Sequence, residues 1–374
     1  MIELLSHSRI SQFIEKSEKS IGRIPFALLA ALLLLILAAV YVRPAVQTVV
    51  LGTSYAELAN DPFSENENAV GFRILTPLIS YGLGLRGQLI IVTNLILAFT
   101  FLFVAFLYFR KELFSPSDAL LGTAVFAFSL VTLTTICYGG YCYSATYLII
   151  LGMWILRSNS IAFYILLFLG LLNRESILFL LPWFIFLGVS EADSKIRTGA
   201  KMLLGYGLVF ILYYLFRMWV SSFRPVSFDF EYYFEPLLEN PLAYFNVSYG
   251  YQGLGYFTVF KAMWIFVFAA VLSFWNKRMI RPLIEICLIL FFVWTQMFIA
   301  WDSSRMLTLA FPVMLISLLH LFKTNPYNFR NWGYLVFFFS LIIPQMYTAA
   351  HIIEFMRSIA YISISLFLAV GNIL

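Results

Sequence analysis

Runs of about 20 apolar residues, each closed by a short polar turn, recur along nearly the whole chain; that is the length one helix needs to cross a hydrocarbon layer about 30 Å thick. The runs are continuous and do not alternate polar with apolar, so a closed β-barrel is excluded. With 62% hydrophobic and 11% charged residues among 374 and a mean hydropathy of +0.89, too little polar surface remains for a domain in water. The fold class expected is an all-α polytopic membrane protein of about 11–12 transmembrane helices. No internal repeat, low-complexity tract or soluble domain interrupts it, so residues 1–374 read as a single transmembrane domain.

Charge sorts the turns into two sets. The net charge of +5 resembles the balance of a nucleic-acid binder, but Lys and Arg sit in short clusters between spans, the positive-inside pattern, and no nucleic-acid partner is expected. Residues 1–24, with Arg9, Lys16, Lys19 and Arg23, read as an amphipathic helix on the cytoplasmic face. A first span, Ile24 to Val42, then delivers a first outer loop over residues 44–87 with a second amphipathic piece, Ile74 to Leu85. Basic inner turns follow at Arg110-Lys111, Arg157, Glu191 to Lys201, Lys277-Arg278 and Lys323 to Arg330. The outer segments are the aromatic turn Tyr138 to Tyr143, Asn173-Arg174-Glu175, a second long outer loop over 221–256, Trp301 to Arg305, and a last turn placing His351, Glu354 and Arg357 at helical spacing. Both termini are expected in the cytoplasm, and the first span is expected to remain as an anchor because no cleavage-site pattern follows it. Forty Phe, 22 Tyr and eight Trp suit lipid-facing surfaces and interfacial belts. Cys137 and Cys142 share one outer turn, where they either pair in an oxidising compartment or stay thiols.

An ionisable group in or beside the hydrocarbon costs at least about 2.5 kcal/mol, so the few present here point to a function or a pair. Asp61, with Glu65 and Glu67 behind it, can act as general base toward an acceptor hydroxyl or give oxygens to a divalent cation such as Mg or Mn. The plainer reading is that Asp61-Pro62 starts a turn and the glutamates are solvated. Arg73 sits between apolar neighbours on the same side of the membrane, where its fork suits phosphate oxygens or simply reaches lipid headgroups. Asn173-Arg174-Glu175 interrupts the apolar stretch 161–189; adjacent residues cannot face each other on a helix, so Arg174 and Glu175 are expected to find different partners. In Trp301-Asp302-Ser303-Ser304-Arg305, capping of a helix explains Asp302 and Ser303. It leaves Arg305 as a cation at the positive end of a helix dipole, which calls for an anion nearby. His320 reads as structural, and the glycosylation pattern at Asn246-Val247-Ser248 is too short to carry weight. The chain has no His/Cys metal cluster, Walker loop, Gly-x-Ser-x-Gly or dinucleotide fingerprint, so nucleotide-driven transport by this chain alone is not expected.

The order of these features resembles the GT-C class of integral membrane glycosyltransferases. The matching features are the acidic first outer loop (Asp61), the amphipathic segments before the second span, the charged insertion Asn173-Arg174-Glu175 followed by Pro182, and the long outer loop after the seventh span. The likeness covers the first seven spans; it departs from the family where the acidic pair is spread over Asp61, Glu65 and Glu67, and where Arg174 stands in place of a common Lys. The resemblance implies a minimal bacterial-type member in the inner membrane, with its site on the periplasmic or extracellular side. It would move a sugar from a polyprenyl-phosphate-linked donor to a hydroxyl of a glycan, lipid or protein acceptor. Asp61 would deprotonate or orient the acceptor, with Glu65 and Glu67 as further carboxylates; Arg73, Arg174 and Arg305 would neutralise the leaving phosphate, supported by Asn173, Glu175 and Asp302. No cofactor is required, although a divalent cation can serve. An O-antigen-type polymerase or ligase would also use outer-face arginines. A transporter or flippase of lipid-linked glycans would need polar groups near the midplane or repeat symmetry, and the sequence reading finds neither.

Overall fold

In a medium that cannot hydrogen-bond the backbone, an apolar run closes its own N–H and C=O groups, and helices dominate for that reason. The computed structural model describes residues 2–49, 51–63, 69–113, 115–223, 242, 251–298, 303–324, 326–349 and 352–356. Its helices are α1 (Ile2–Ile21), α2 (Arg23–Tyr41), α3 (Leu51–Asn60), α4 (Leu75–Gly82), α5 (Ile90–Leu113), α6 (Pro116–Ala127), α7 (Leu130–Cys137), α8 (Tyr143–Ile155), α9 (Ser160–Asn173) and α10 (Leu181–Ser190). There follow α11 (Lys195–Phe223), α12 (Gln252–Phe260), α13 (Trp264–Asn276), α14 (Ile280–Thr295), α15 (Ser303–Leu307), α16 (Phe311–Thr324) and α17 (Pro326–Ile342). Among the described residues six helices are long and apolar enough to cross a membrane, the bent pair α6–α7 makes a seventh, and four shorter apolar helices accompany them. The all-α polytopic class is thus what the chain adopts. Pro25, Pro77, Pro116, Pro182, Pro282, Pro312 and Pro326 all stand in first turns, where the missing N–H removes no helical bond.

The helix α16 is the axis of the bundle: 83% of its apolar window, counted from Ser303, is buried inside the protein. Its Phe311 meets Phe101, Phe126 and Tyr147 edge-on at 5.7–5.9 Å between ring centres, joining α5, α6 and α8. Alternation of the chain puts the basic turns at one end of the bundle, where ion pairs tie the helices: Arg110 to Glu18, Lys323 to Glu112, and Arg330 to Asp118. There, too, Glu191 accepts from both Arg157 and Arg281.

Three features depart from the sequence reading. The third span is not straight: α6 and α7 meet at 49°, and the Ser129 hydroxyl donates to the Phe126 carbonyl at the break, giving the backbone a partner outside the helix ladder. The inner turn expected from Glu191 to Lys201 is shorter: residues 191–194 connect α10 and α11, and 195–201 are the first turns of α11. The segment around Glu354 is a strand, because β1 (Met346–Ala349) and β2 (Ile352–Phe355) form an antiparallel hairpin with Tyr347 opposite Glu354. Of the two states left open for Cys137 and Cys142, the structure has the free thiols.

The eighth span breaks at Lys261, a buried cation within an apolar segment that the sequence reading passed over, with a φ of +49°. Its Nζ donates to Tyr41 Oη (3.0 Å) and to the Ile343 carbonyl (3.2 Å), while Tyr41 donates to the Leu341 carbonyl (3.0 Å). An ammonium at the carbonyl end of α17 is favoured by that helix's dipole, which accounts for the lysine structurally.

Candidate functional site

At the end of the bundle opposite the ion pairs, small residues let backbones meet. Gly52 of α3 lies against the turn between α7 and α8 so closely that a Cβ there would run into the Gly139 carbonyl oxygen. Gly140 turns the chain with a φ of +88°, a conformation open to glycine. Asn173, at the last residue of α9, fastens this region from below. Its Nδ2 donates to the Cys142 carbonyl (2.9 Å) and to Thr146 Oγ1 (2.8 Å), and its Oδ1 accepts from Thr76 Oγ1 of α4 (2.6 Å).

Arg174 then leaves the helix in extended conformation (φ −167°), and this sends Arg174 and Glu175 to separate partners, as the sequence implied. Glu175 accepts from Arg73 Nε (2.9 Å) and from Tyr213 Oη of α11 (3.0 Å). Burial works against the Arg73 charge, but the Glu175 carboxylate and Tyr55 outweigh it and raise its pKa above the ordinary arginine value. Arg73 is therefore matched.

Arg174 is not. Its side chain is only 4% exposed, its guanidinium lies 3.9 Å from the Tyr143 ring centre, and it makes no ion pair or side-chain hydrogen bond among the described residues. Arg305, 6% exposed, lies 4.8 Å from the ring centre of Tyr141 and 5.2 Å from that of Tyr143. Arg174 is close enough to both Arg73 and Arg305 for each to disfavour its charge. Positions 102 and 131 residues apart along the chain, counted from Arg73 to Glu175 and from Arg174 to Arg305, thus meet in one cluster.

Arg305 is placed from outside its own short helix. Ser303 and Ser304 at the start of α15 bond to Thr348 Oγ1 of the hairpin (2.9 and 2.6 Å), Thr348 N donates back to Ser304 Oγ (2.7 Å), and Ser304 also reaches Thr258 of α12 (3.0 Å). The hairpin closes on the other side of the cluster too. Tyr347 packs on Tyr138 at 4.6 Å, and Tyr138 Oη donates to Glu354 (2.7 Å).

Asp61 follows α3 directly, exposed, with its Oδ1 accepting from Phe63 N (3.1 Å), the turn-starting geometry weighed in the sequence. Phe63 in turn touches Trp219 of α11 at 5.7 Å. Glu65, Glu67 and Asp302 lie outside the described residues, as do His351, Arg357, Asn246 and most of the second long loop. Among the described residues no three His, Cys, Asp or Glu side chains gather to hold a metal.

Sequence reasoning missed the tyrosines. Tyr138-Gly139-Gly140-Tyr141-Cys142-Tyr143 reads in the sequence as an aromatic outer turn with no role at the site, although a Gly-Gly between tyrosines marks close backbone approach. It also missed Arg217, whose guanidinium lies 4.1 Å from the Phe72 ring centre and 5.7 Å from that of Tyr213. A lone arginine in the run Tyr213 to Trp219 carried the same signal as Arg174.

Comparison with protein-family models, with curated proteins and with solved structures finds no match for this chain.

Proposed function

We propose that the chain is a glycosyltransferase that takes a sugar from a polyprenyl-phosphate-linked donor and gives it to an acceptor hydroxyl at the non-cytoplasmic membrane surface. The observation that supports this reading is Arg174: a buried guanidinium with no carboxylate of its own, beside Arg305 and Arg73, stabilises an anion and not the fold. Asp61 takes the proton of the acceptor O–H as that oxygen attacks the anomeric carbon. The bond from that carbon to the phosphate oxygen breaks, its electron pair stays on the phosphate, and Arg174 and Arg305 bind the charge that results. Arg73, already matched by Glu175, shapes the site through that pair.

The exposed, turn-capping position of Asp61 favours a second reading, a polymerase or ligase acting on lipid-diphosphate glycans, in which arginines alone carry the chemistry. One assay separates them: transfer from polyprenyl-phosphate sugars by wild type, Asp61→Asn and Arg174→Ala. The first reading expects both variants to lose transfer. Full activity in Asp61→Asn with loss in Arg174→Ala favours the second, and full activity in both removes the site.

A further inference from the structure

We infer that the cavity at the basic end of the bundle, between α13, α16 and the first turns of α17, binds an anionic lipid headgroup: a phosphate diester that carries no ammonium of its own. The site lies at the opposite end from the arginine cluster, and the inference does not depend on sugar transfer.

The cavity holds about 340 Å³ and is lined by Ser273, Lys277, Leu321, Thr324, Phe329 and Trp332. That is the small end of ligand cavities, which run from about 300 to 1,000 Å³, and it suits a headgroup better than a whole lipid. Its cation is uncommitted. Arg110, Arg157, Arg281, Lys323 and Arg330 at the same end each meet a carboxylate. Lys277 meets none among the described residues, and its side chain makes no hydrogen bond there. It follows the last residue of α13, where the helix dipole favours a cation without using any of its three N–H donors. Ser273 stands one turn earlier on the same side of the helix, and its Oγ lies 2.8 Å from His320 Nε2 of α16. His320 is held in turn by the Phe274 ring, 4.1 Å between centres, and Lys277 is near enough to act on it electrostatically. With Nε2 as donor, the Ser273 proton is left for an oxygen in the cavity. Thr324 spends its own proton on the His320 carbonyl (2.9 Å), so Lys277 and Ser273 are the donors that the lining offers. Leu321, Phe329 and Trp332 supply an apolar wall with an indole, which suits the carbon stem of a lipid at the membrane interface.

The lining also sets the selectivity. A second cavity at this end, about 790 Å³, has Lys111, Lys323 and Arg330 in its wall together with Glu112 and Asp118, and those carboxylates already take two of the three cations. Among the described residues no carboxylate lines the smaller cavity, so a zwitterionic headgroup would bring its ammonium beside Lys277 with nothing to receive it. A basic pocket between membrane helices is a recurrent headgroup site, and one without an acid favours a phosphate that stays net negative.

The test is calorimetric binding by the purified full-length protein in an uncharged detergent, with three probes: short-chain phosphatidylglycerol, short-chain phosphatidylcholine and glycerol phosphate. Wild type is expected to bind phosphatidylglycerol roughly tenfold more tightly than either of the others. Lys277→Gln should lose roughly five- to tenfold for phosphatidylglycerol, whereas Lys277→Arg stays within about threefold of wild type. Lys323→Gln removes equal charge from the neighbouring cavity and should stay within about twofold. Ser273→Ala should lose roughly threefold, and it carries the test if Lys277→Gln does not fold. Phosphatidylcholine bound as tightly as phosphatidylglycerol overturns the inference, and so does full binding by Lys277→Gln. Equal losses in Lys323→Gln and Lys277→Gln overturn it as well, because a diffuse field and not a site would then attract the lipid. Glycerol phosphate bound as tightly as phosphatidylglycerol assigns the cavity to a soluble ester and overturns the lipid assignment. Wild type that binds none of the three removes the site.

Discussion

The two ends of the bundle carry similar numbers of arginines and treat them oppositely. At the basic end each described guanidinium that reaches inward meets a carboxylate, at 2.8 Å for Arg110 with Glu18 and 2.6 Å for Arg330 with Asp118. At the loop end Arg73 has that arrangement with Glu175, whereas Arg174 rests on the Tyr143 ring with no ion pair among the described residues. Charge that is cancelled inside the protein holds helices together; charge left over at a buried position has work to do on something that arrives from outside.

That contrast can be broken by mutation. The largest effect on stability is expected from Arg330→Met, which strands the Asp118 carboxylate, 3% exposed, without its cation. A loss toward the lower end of about 3–5 kcal/mol should appear as a lower Tm, and adding Asp118→Asn should recover part of it. Arg174→Met should do the reverse, keeping or raising Tm while transfer falls about 10²–10³-fold. If Arg174→Met melts like Arg330→Met, the two ends do not differ in kind. Asn173→Ala removes three hydrogen bonds that anchor the cluster to α4 and α8, and should cost about 1–3 kcal/mol.

The smallest expected effect comes from acid. Burial opposes the charge of Glu191, but Arg281 and Arg157 outweigh it and hold its pKa below the ordinary 4.5. A carboxyl depressed in the folded state stabilises fully above its unfolded pKa and loses that contribution as pH falls through the folded value. The Tm difference between wild type and Glu191→Gln should therefore be present at pH 6 and shrink toward zero below pH of about 4.

Much of this was legible in the sequence, for identifiable reasons. Apolar run length fixed the helices because the bilayer offers the backbone no alternative, and the cost of a charge in hydrocarbon singled out Arg73, Arg174, Glu175 and Arg305. The separate partners of Arg174 and Glu175 followed from helix geometry alone. The companions of those arginines were hidden, since a tyrosine at position 143 looks the same in a string whether it faces lipid or a guanidinium. Breaks at Ser129 and Lys261 were hidden as well, because neither Pro nor Gly marks them and the bonds that stabilise them come from distant parts of the chain.

The hairpin welded to Ser303 and Ser304 has a practical consequence for anyone handling this protein. A chain cut short after Ile342 would keep every long helix among the described residues, yet it would lose the floor on which Arg305 stands. A well-behaved truncation is therefore no proof of a working one.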